Sequence, residues 1–263
     1  MGLLSFTSAD LFWIGLSLFL TGMAKGGFPV GSIALPLLIL MWPAQTQAAR
    51  QGVGFMLPML CLMDAVAMAF YWRHVEWKRL GYLIPATLVG VALASVLFVS
   101  NDAVVAVSDR MLKALIGILG ICFVIYFAAK KWILRHVHTA VPNWGSGSAF
   151  GFAAGMTSTL AHAAGPVMQM YLLPQKLDKR VFAATSCAFF WMLNLVKLLP
   201  FSLMDRIEAG NLRLGVILLP VIPLGVGFGW WLTRRTQEKH YTVLICAVLL
   251  ITSISLIYKA VAA

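Results

Sequence analysis

The segment GMAKGGFPVG, residues 22–31, places a lysine among glycines inside an otherwise apolar stretch. Gly26 and Gly27 allow the backbone to leave helical geometry, and Pro29 lacks the donor that a continuous helix needs. A helix that begins after such a break presents free N–H groups and partial positive charge, to which Lys25 adds a full charge. We therefore predict an anion site at Lys25, Gly26 and Gly27. The alternative is a lysine that extends to the membrane interface and glycines that serve close packing.

A second polar interruption, GMTSTLAHAAGP at residues 155–166, contains hydroxyl groups and a histidine. Thr157, Ser158 and Thr159 supply the hydroxyls, and His162 follows Ser158 by four residues. Beside the first break, these groups would donate hydrogen bonds to the same anion. The alternative is that the hydroxyls bond back to their own helix and a neighbour satisfies the histidine.

Ser158 and His162 also allow a third interpretation, the nucleophile and base of an intramembrane hydrolase. That chemistry needs the two side chains in hydrogen-bond contact and an oxyanion site. No carboxylate lies nearby to orient the histidine, and the pattern GxSxG is absent. We predict no enzyme activity and no catalytic residues.

Asn194 and Lys197 stand three residues apart, so on a helix they share one face. Lys197 follows a long apolar run and precedes LLPF. A cation buried in the membrane is expensive and indicates a functional site, which makes both residues candidates for substrate binding. The alternative for Lys197 is an interfacial position.

Asp64 lies deep within another apolar run. A carboxylate there is expected to be protonated or paired with a cation, for which Lys25 and Lys197 are the candidates. Asp64 is therefore either a proton carrier for coupled transport or the structural partner of a lysine.

The composition indicates which elements must position these residues. Hydrophobic residues make up 61% of the 263 and charged residues 11%, against roughly 25% charged in a soluble domain. Several apolar runs approach the ~20 residues that a helix needs to cross a bilayer. The chain is therefore predicted to be a polytopic membrane protein, with runs at residues 53–70, 80–99, 112–129, 181–197, 214–232 and 242–258.

The four cysteines and the net charge add little specificity. All four cysteines lie in apolar runs without ligand-like spacing, so neither a disulfide framework nor a metal site is predicted. The net charge of +11 fits basic cytoplasmic loops, and it also fits attraction of an anionic substrate. We expect no nucleic-acid partner.

The chain also repeats itself. Residues from Thr21 align with residues from Ala154, and in the following run Arg50 aligns with Arg180. In that register Asp64 meets Asn194, each 14 positions after its arginine. We predict two repeats, residues 1–135 and 136–263, that form one integrated membrane domain.

Each repeat opens with a broken apolar segment. The two pieces of the first, residues 10–23 and 30–41, are too short to span, since fourteen helical residues cover roughly 21 Å of a ~30 Å core. They form either one broken helix or a hairpin. Hairpins place twice as many Lys and Arg residues on one side as on the other, whereas single crossings place equal numbers. The positive-inside bias therefore favours hairpins, three crossings per repeat and inverted repeats.

These motifs resemble the sulfite exporter TauE/SafE family of bacterial inner-membrane transporters. The resemblance rests on GMAKGGFPVG with ALPLL, on AHAAGPVMQMYLLP, and on NLVKLLPF, in order along nearly the whole chain. Family members often have a doubled glycine where this chain has Ala164 and Gly165. The resemblance implies export, or sometimes uptake, of sulfite, organosulfonates or related small anions, and no cofactor.

We therefore expect an all-α polytopic protein of the bacterial inner membrane, built from two inverted repeats, each a broken helical hairpin plus three transmembrane helices. Its expected function is secondary transport, with export as the favoured direction, of a small anion by alternating access. Its expected partners are the anion, the lipid bilayer and, as a candidate coupling ion, the proton. The alternative from another class is an anion channel that uses the same lysines.

Overall fold

The computed structural model of the chain describes residues 6–28, 30–43, 47–99, 108–136, 141–204, 207, 209–235 and 238–262. Within those ranges the protein is all-helical, as the composition predicts, with no strand. The helices are α1 Ser8–Lys25, α2 Gly31–Leu40, α3 Ala48–Tyr71, α4 Trp77–Val99, α5 Asp109–His136, α6 Trp144–Ala161, α7 Gly165–Leu172, α8 Lys179–Leu203, α9 Ala209–Ile217, α10 Val221–Arg235 and α11 Glu238–Ala262.

Side-chain caps set the starts of two helices that lead to the breaks. At α1, the Thr7 hydroxyl accepts from the Asp10 backbone N–H (3.2 Å) while the Asp10 carboxylate accepts from the Thr7 N–H (2.8 Å). This is a capping box, which satisfies donors that the first turn leaves without a helical partner. At α6, the Asn143 side chain accepts from the Ser146 N–H (2.9 Å).

Four helices are long and apolar enough to cross a membrane, over Ala48–Ala69, Trp77–Val96, Asp109–Ala129 and Arg180–Leu203. They correspond to four of the predicted spans. Shorter apolar helices cover Gly31–Leu40, Val221–Leu232 and Cys246–Ala262.

The predicted single span at residues 214–232 is wrong, because the chain breaks there into α9 and α10. Pro220 lies in the intervening turn. A proline cannot donate a helical hydrogen bond and disfavours helical geometry in the residue before it. The neighbouring N–H groups of Leu219, Val221 and Ile222 bond three residues back, with N···O distances of 3.0–3.3 Å, which is the tighter pattern of a 3₁₀ turn.

The helix α2 folds back along α1. The Ser17 hydroxyl donates to the carbonyl of Ala34 (2.5 Å), whereas Gly31, at the start of α2, lies against the methyl group of Ala24 near the end of α1. The two helices therefore run in opposite directions, as a hairpin requires.

Four further helix pairs pack together: α1 against α10, α4 against α6, α3 against α8 and α5 against α11. The contact between α1 and α10 depends on glycine. A methyl group at Gly26 would overlap the Val226 carbonyl, and one at Gly229 would overlap the Met23 carbonyl. Gly26 thus serves close packing, one of the two roles that the sequence allowed it.

Candidate binding site between two helix breaks

The first break follows Lys25, the last residue of α1. The Phe28 N–H bonds to the Met23 carbonyl (3.0 Å) and the Gly27 N–H to the Ala24 carbonyl (3.1 Å). This pair of bonds is a Schellman motif, which requires a left-handed residue after the helix. Gly27 fills that position with φ of 104°. Pro29 lies outside the described residues.

The second break ends α6 in a related way without a glycine. His162 is left-handed (φ 47°, ψ 31°), and its N–H bonds to the Ser158 carbonyl (2.9 Å). Histidine is one of the non-glycine residues enriched in this conformation. The helix α7 then begins at Gly165, and like α2 its start has no side-chain cap. Both breaks therefore leave a helix N-terminus whose first N–H groups have no side-chain acceptor.

A buried ion pair fixes the first break to α3. The Lys25 ammonium group pairs with Oδ1 of Asp64, and Asn194 Nδ2 donates to Oδ2 of the same carboxylate (2.6 Å). The Asp64 side chain is fully buried, whereas 15% of the Lys25 side chain is exposed. Lys25 also lies 4.9 Å from the centre of the Phe190 ring. Asp64 therefore pairs with Lys25, one of the two lysines that the sequence offered as its partner.

Lys197 fixes the second break to α8. Its ammonium group is fully buried and lies 2.8 Å from Ser158 Oγ, 3.1 Å from the Ser158 carbonyl and 2.9 Å from His162 Nδ1. The three donors of an ammonium group match these three acceptors. Because Nδ1 accepts from Lys197, the ring proton is assigned to Nε2, which donates to the carbonyl of Val53 on α3 (2.8 Å).

A cavity of about 1130 Å³ lies between the two breaks. Both uncapped helix starts reach its wall, so partial positive charge from two helices converges there. The described wall residues include no carboxylate. The two breaks and α8 contribute to the wall Lys25, Gly26, Gly27, Gly31 and Ser32 from the first break, Ser158, His162, Ala163 and Gly165 from the second, and Asn194.

Most of the predicted site residues come together at this cavity. Lys25, Gly26, Gly27, Ser158, His162 and Asn194 line it. Asp64 and Lys197 lie directly behind the wall, each bonded to residues of it. Thr157 and Thr159 lie outside it and donate to the carbonyls of Ala153 (2.7 Å) and Gly155 (2.8 Å) on their own helix, which is the alternative that the sequence left open for hydroxyls.

The same geometry bears on the hydrolase interpretation. Ser158 Oγ and His162 Nδ1 both contact Lys197 Nζ. The nitrogen that would have to take a proton from the serine therefore faces an ammonium group instead. Both side chains are thus hydrogen-bonded to Lys197, and the bond between serine and histidine that general-base activation needs is not among the hydrogen bonds of the described residues.

Several residues of the cavity wall were not predicted from the sequence, among them Ser32, His74 and Arg180. Ser32 has a buried hydroxyl without a hydrogen-bond partner among the described residues, and its position in the first turn of α2 was the available signal. His74 and Arg180 add exposed basic groups to the wall. From the sequence, Arg180 was noted as the counterpart of Arg50 in the repeat and as one of the basic residues on one side of the membrane.

Comparison with known proteins identifies the family. The family described as sulfite exporter TauE/SafE matches residues 12–256, nearly the whole chain. No curated protein and no solved structure matches. The family match and the four long apolar helices together indicate a multi-pass membrane protein of a family of transporters, not enzymes. The resemblance carried by the two breaks is confirmed, and the chain belongs to the TauE/SafE sulfite exporter family.

Proposed function

We propose that the protein is a secondary transporter that exports sulfite, an organosulfonate or a related small organic anion across the bacterial inner membrane by alternating access. The observation that carries the proposal is the convergence of two uncapped helix N-termini and Lys25 on one cavity. Free N–H groups and helix dipoles at such termini favour anions. Broken helices that meet at a central site are a recurrent transporter design.

In this proposal the charged head of the substrate lies between the starts of α2 and α7. Lys25 supplies the charge, the backbone at Gly26 and Gly27 lines the site, and Ser158, His162 and Asn194 contribute polar groups. We assign Lys197 a positioning role, because its three donors already hold the second break. Thr157 and Thr159 support α6 through the carbonyls that they bind.

Asp64 is the proposed proton carrier. The ammonium group of Lys25 is paired with the Asp64 carboxylate. An anion that binds to Lys25 therefore competes with Asp64 for this ammonium group. A carboxylate that loses its counter-charge in a buried site gains a proton more readily. Binding of one anion would then be coupled to uptake of one proton on Asp64, an electroneutral symport that exports the anion only when the outward anion gradient exceeds the inward proton gradient. Without such coupling, the membrane potential alone favours export, by about 2.3 kcal/mol per charge at 100 mV.

The helix packing supports the two inverted repeats, 1–135 and 136–263. Under the proposed alignment α1 corresponds to α6, and α4 corresponds to α10. The contact between α1 and α10 is therefore the symmetry equivalent of the contact between α6 and α4. The pairs α3–α8 and α5–α11 each join a helix to its own counterpart. Asp64 and Asn194, which are equivalent positions, share a hydrogen bond. A two-fold relation between the repeats accounts for all of these contacts, and an axis in the membrane plane would make the repeats inverted.

The test is counterflow of labelled sulfite and labelled methanesulfonate in proteoliposomes. A carrier preloaded with unlabelled substrate accumulates label transiently, whereas a channel dissipates the gradient without accumulation. The double variant Lys25→Met with Asp64→Asn removes the ion pair without leaving either charge alone, and we expect it to lose counterflow. Lys78→Met, an exposed lysine at the start of α4, is the matched control and keeps it. Full counterflow in the double variant would contradict the proposed site.

A further inference from the structure

The cavity has an apolar wall that the anion head does not use. Ile116, Leu119, Phe123 and Phe127 of α5 all face it. Their spacing of three, four and four residues places them on one face of the helix. On the opposite face of α5, Ile125 is 63% exposed.

The apolar wall is in contact with residues of both helix breaks. Phe123 belongs to the same buried cluster as Phe28 and Val30, which flank the first break, and Ala163 of the second break packs against that cluster. On the other side of the cavity, the Phe190 ring lies 4.9 Å from the Lys25 ammonium group. Hydrocarbon therefore lies within one side-chain length of the proposed position of the anion head.

The size of the cavity exceeds what an inorganic anion requires. Sulfite has four heavy atoms, whereas the cavity measures about 1130 Å³. Pockets of roughly 300–1,000 Å³ accommodate drug-sized ligands. An anion with an organic substituent can place its charge at Lys25 and remove apolar surface of both itself and α5 from water.

We infer that the α5 wall, defined as Ile116, Leu119, Phe123 and Phe127, is a subsite for the hydrocarbon tail of an organic anion. The ligand class is an amphipathic monosulfonate or monocarboxylate, and such ligands bind more tightly than sulfite itself. The inference rests on the proposed function, since it takes the head to lie at the two breaks. Phe123 is its specificity-determining residue because it is the wall residue that belongs to the same buried cluster as Phe28 and Val30.

The experiment is inhibition of labelled methanesulfonate transport by methane-, butane- and hexanesulfonate. We expect the inhibition constant to fall by up to about fourfold for each methylene group that the wall buries. In Phe123→Ala we expect the gain in inhibition per methylene to shrink relative to wild type. Ile125→Ala, on the outward face of the same helix, retains the wild-type series.

A second variant tests whether the effect of Phe123→Ala comes from the shape of the wall, and a second ligand series tests whether the charged head is required. Leu119→Phe narrows the space beside the wall instead of widening it, and we expect it to weaken inhibition by hexanesulfonate more than inhibition by butanesulfonate. Butanol and hexanol have the same tails without a charged head and should not inhibit. Inhibition by the alcohols equal to that by the sulfonates would overturn the inference.

The two levels of the proposal fail separately. The tail subsite alone would be overturned if methanesulfonate is transported but the inhibition constants of the alkanesulfonates do not depend on chain length. It would also be overturned if that dependence is the same in wild type and in Phe123→Ala. Absence of transport of both sulfite and methanesulfonate by wild-type protein would overturn the proposed function.

Discussion

Each helix break is joined to a long helix by a lysine, but the lysine belongs to the break in one case and to the long helix in the other. In the first, the cation Lys25 belongs to the break and its acceptor, Asp64, belongs to the long helix α3. In the second, the cation Lys197 belongs to the long helix α8 and its acceptors, Ser158 and His162, belong to the break. Each break is thus tied by a lysine to the long helix that follows it.

The exchange has a consequence for what each lysine can do. Lys25 keeps part of its side chain exposed to the cavity and has a carboxylate behind it, whereas Lys197 is fully buried against neutral acceptors. In the proposed repeat alignment Lys25 corresponds to Ser158 and Asp64 to Asn194. The first break is therefore suited to exchange partners with an incoming anion, and the second is suited to hold its shape.

The largest expected effect is on stability at the first break. Lys25→Met leaves the buried Asp64 carboxylate without its counter-charge, and we expect a loss of about 3–5 kcal/mol in the free energy of unfolding. Adding Asp64→Asn should recover most of this loss, because no charge then remains unpaired. Thermal unfolding of the purified variants measures both effects. A Lys25→Met protein as stable as wild type would contradict the first half of the comparison.

The second break should respond differently. Lys197→Met leaves the neutral groups of Ser158 and His162 without a donor, at about 1–3 kcal/mol for each group left unsatisfied. Among the described residues no carboxylate contacts Lys197, so no single charge-removing substitution should rescue it. Combining Lys197→Met with Ser158→Ala should cost less than the sum of the two single changes. Strict additivity, measured by unfolding in the four proteins of the cycle, would show that the contact contributes nothing.

Asp64→Asn sharpens the comparison at the level of function. The amide keeps the shape of the carboxylate but carries no titrating proton, so accumulation driven by a pH gradient should disappear while counterflow persists. Asn194→Ala removes the neutral counterpart and should retain the response to the gradient. Both are measured with labelled methanesulfonate in proteoliposomes. Undiminished gradient-driven accumulation in Asp64→Asn would exclude Asp64 as the proton carrier.

The smallest expected effect concerns the backbone of the first break. Gly27→Ala forces a side chain into φ of 104° and should cost about 1–3 kcal/mol. Gly81→Ala is the matched control, since it lies within α4 with nothing within 4 Å of the added methyl group. That change should stabilise by up to about 1 kcal/mol. Equal unfolding temperatures for the two variants would remove the strain argument.

Local chemistry made the breaks and part of the site predictable. A lysine among glycines or a carboxylate inside an apolar run is unusual enough to identify a position without knowledge of its neighbours. A cation partner for Asp64 was predictable because a buried carboxylate needs one, but Lys25 and Lys197 were both candidates. The hairpin of α1 and α2 followed from length and loop charge.

Other features depend on tertiary packing, which the sequence does not display. Pro85 remains inside α4 whereas Pro220 separates α9 from α10, so a proline alone does not determine where a membrane helix breaks. The sequence left both a buried and an interfacial position open for Lys197, and its direction toward Ser158 is a property of the packed helices. The α5 wall could not be predicted from the sequence, because residues 112–129 are hydrophobic on nearly every side of the helix and the pattern does not show which side faces the cavity.

The central claim is that both breaks bind one anion, and the most direct measurement is an experimental structure with 2-bromoethanesulfonate. The account predicts the sulfonate within hydrogen-bond distance of Lys25 and between the starts of α2 and α7. It predicts the anomalous signal of the bromine beside Phe123. A sulfonate bound away from both breaks, with the cavity open to solvent, would contradict the account.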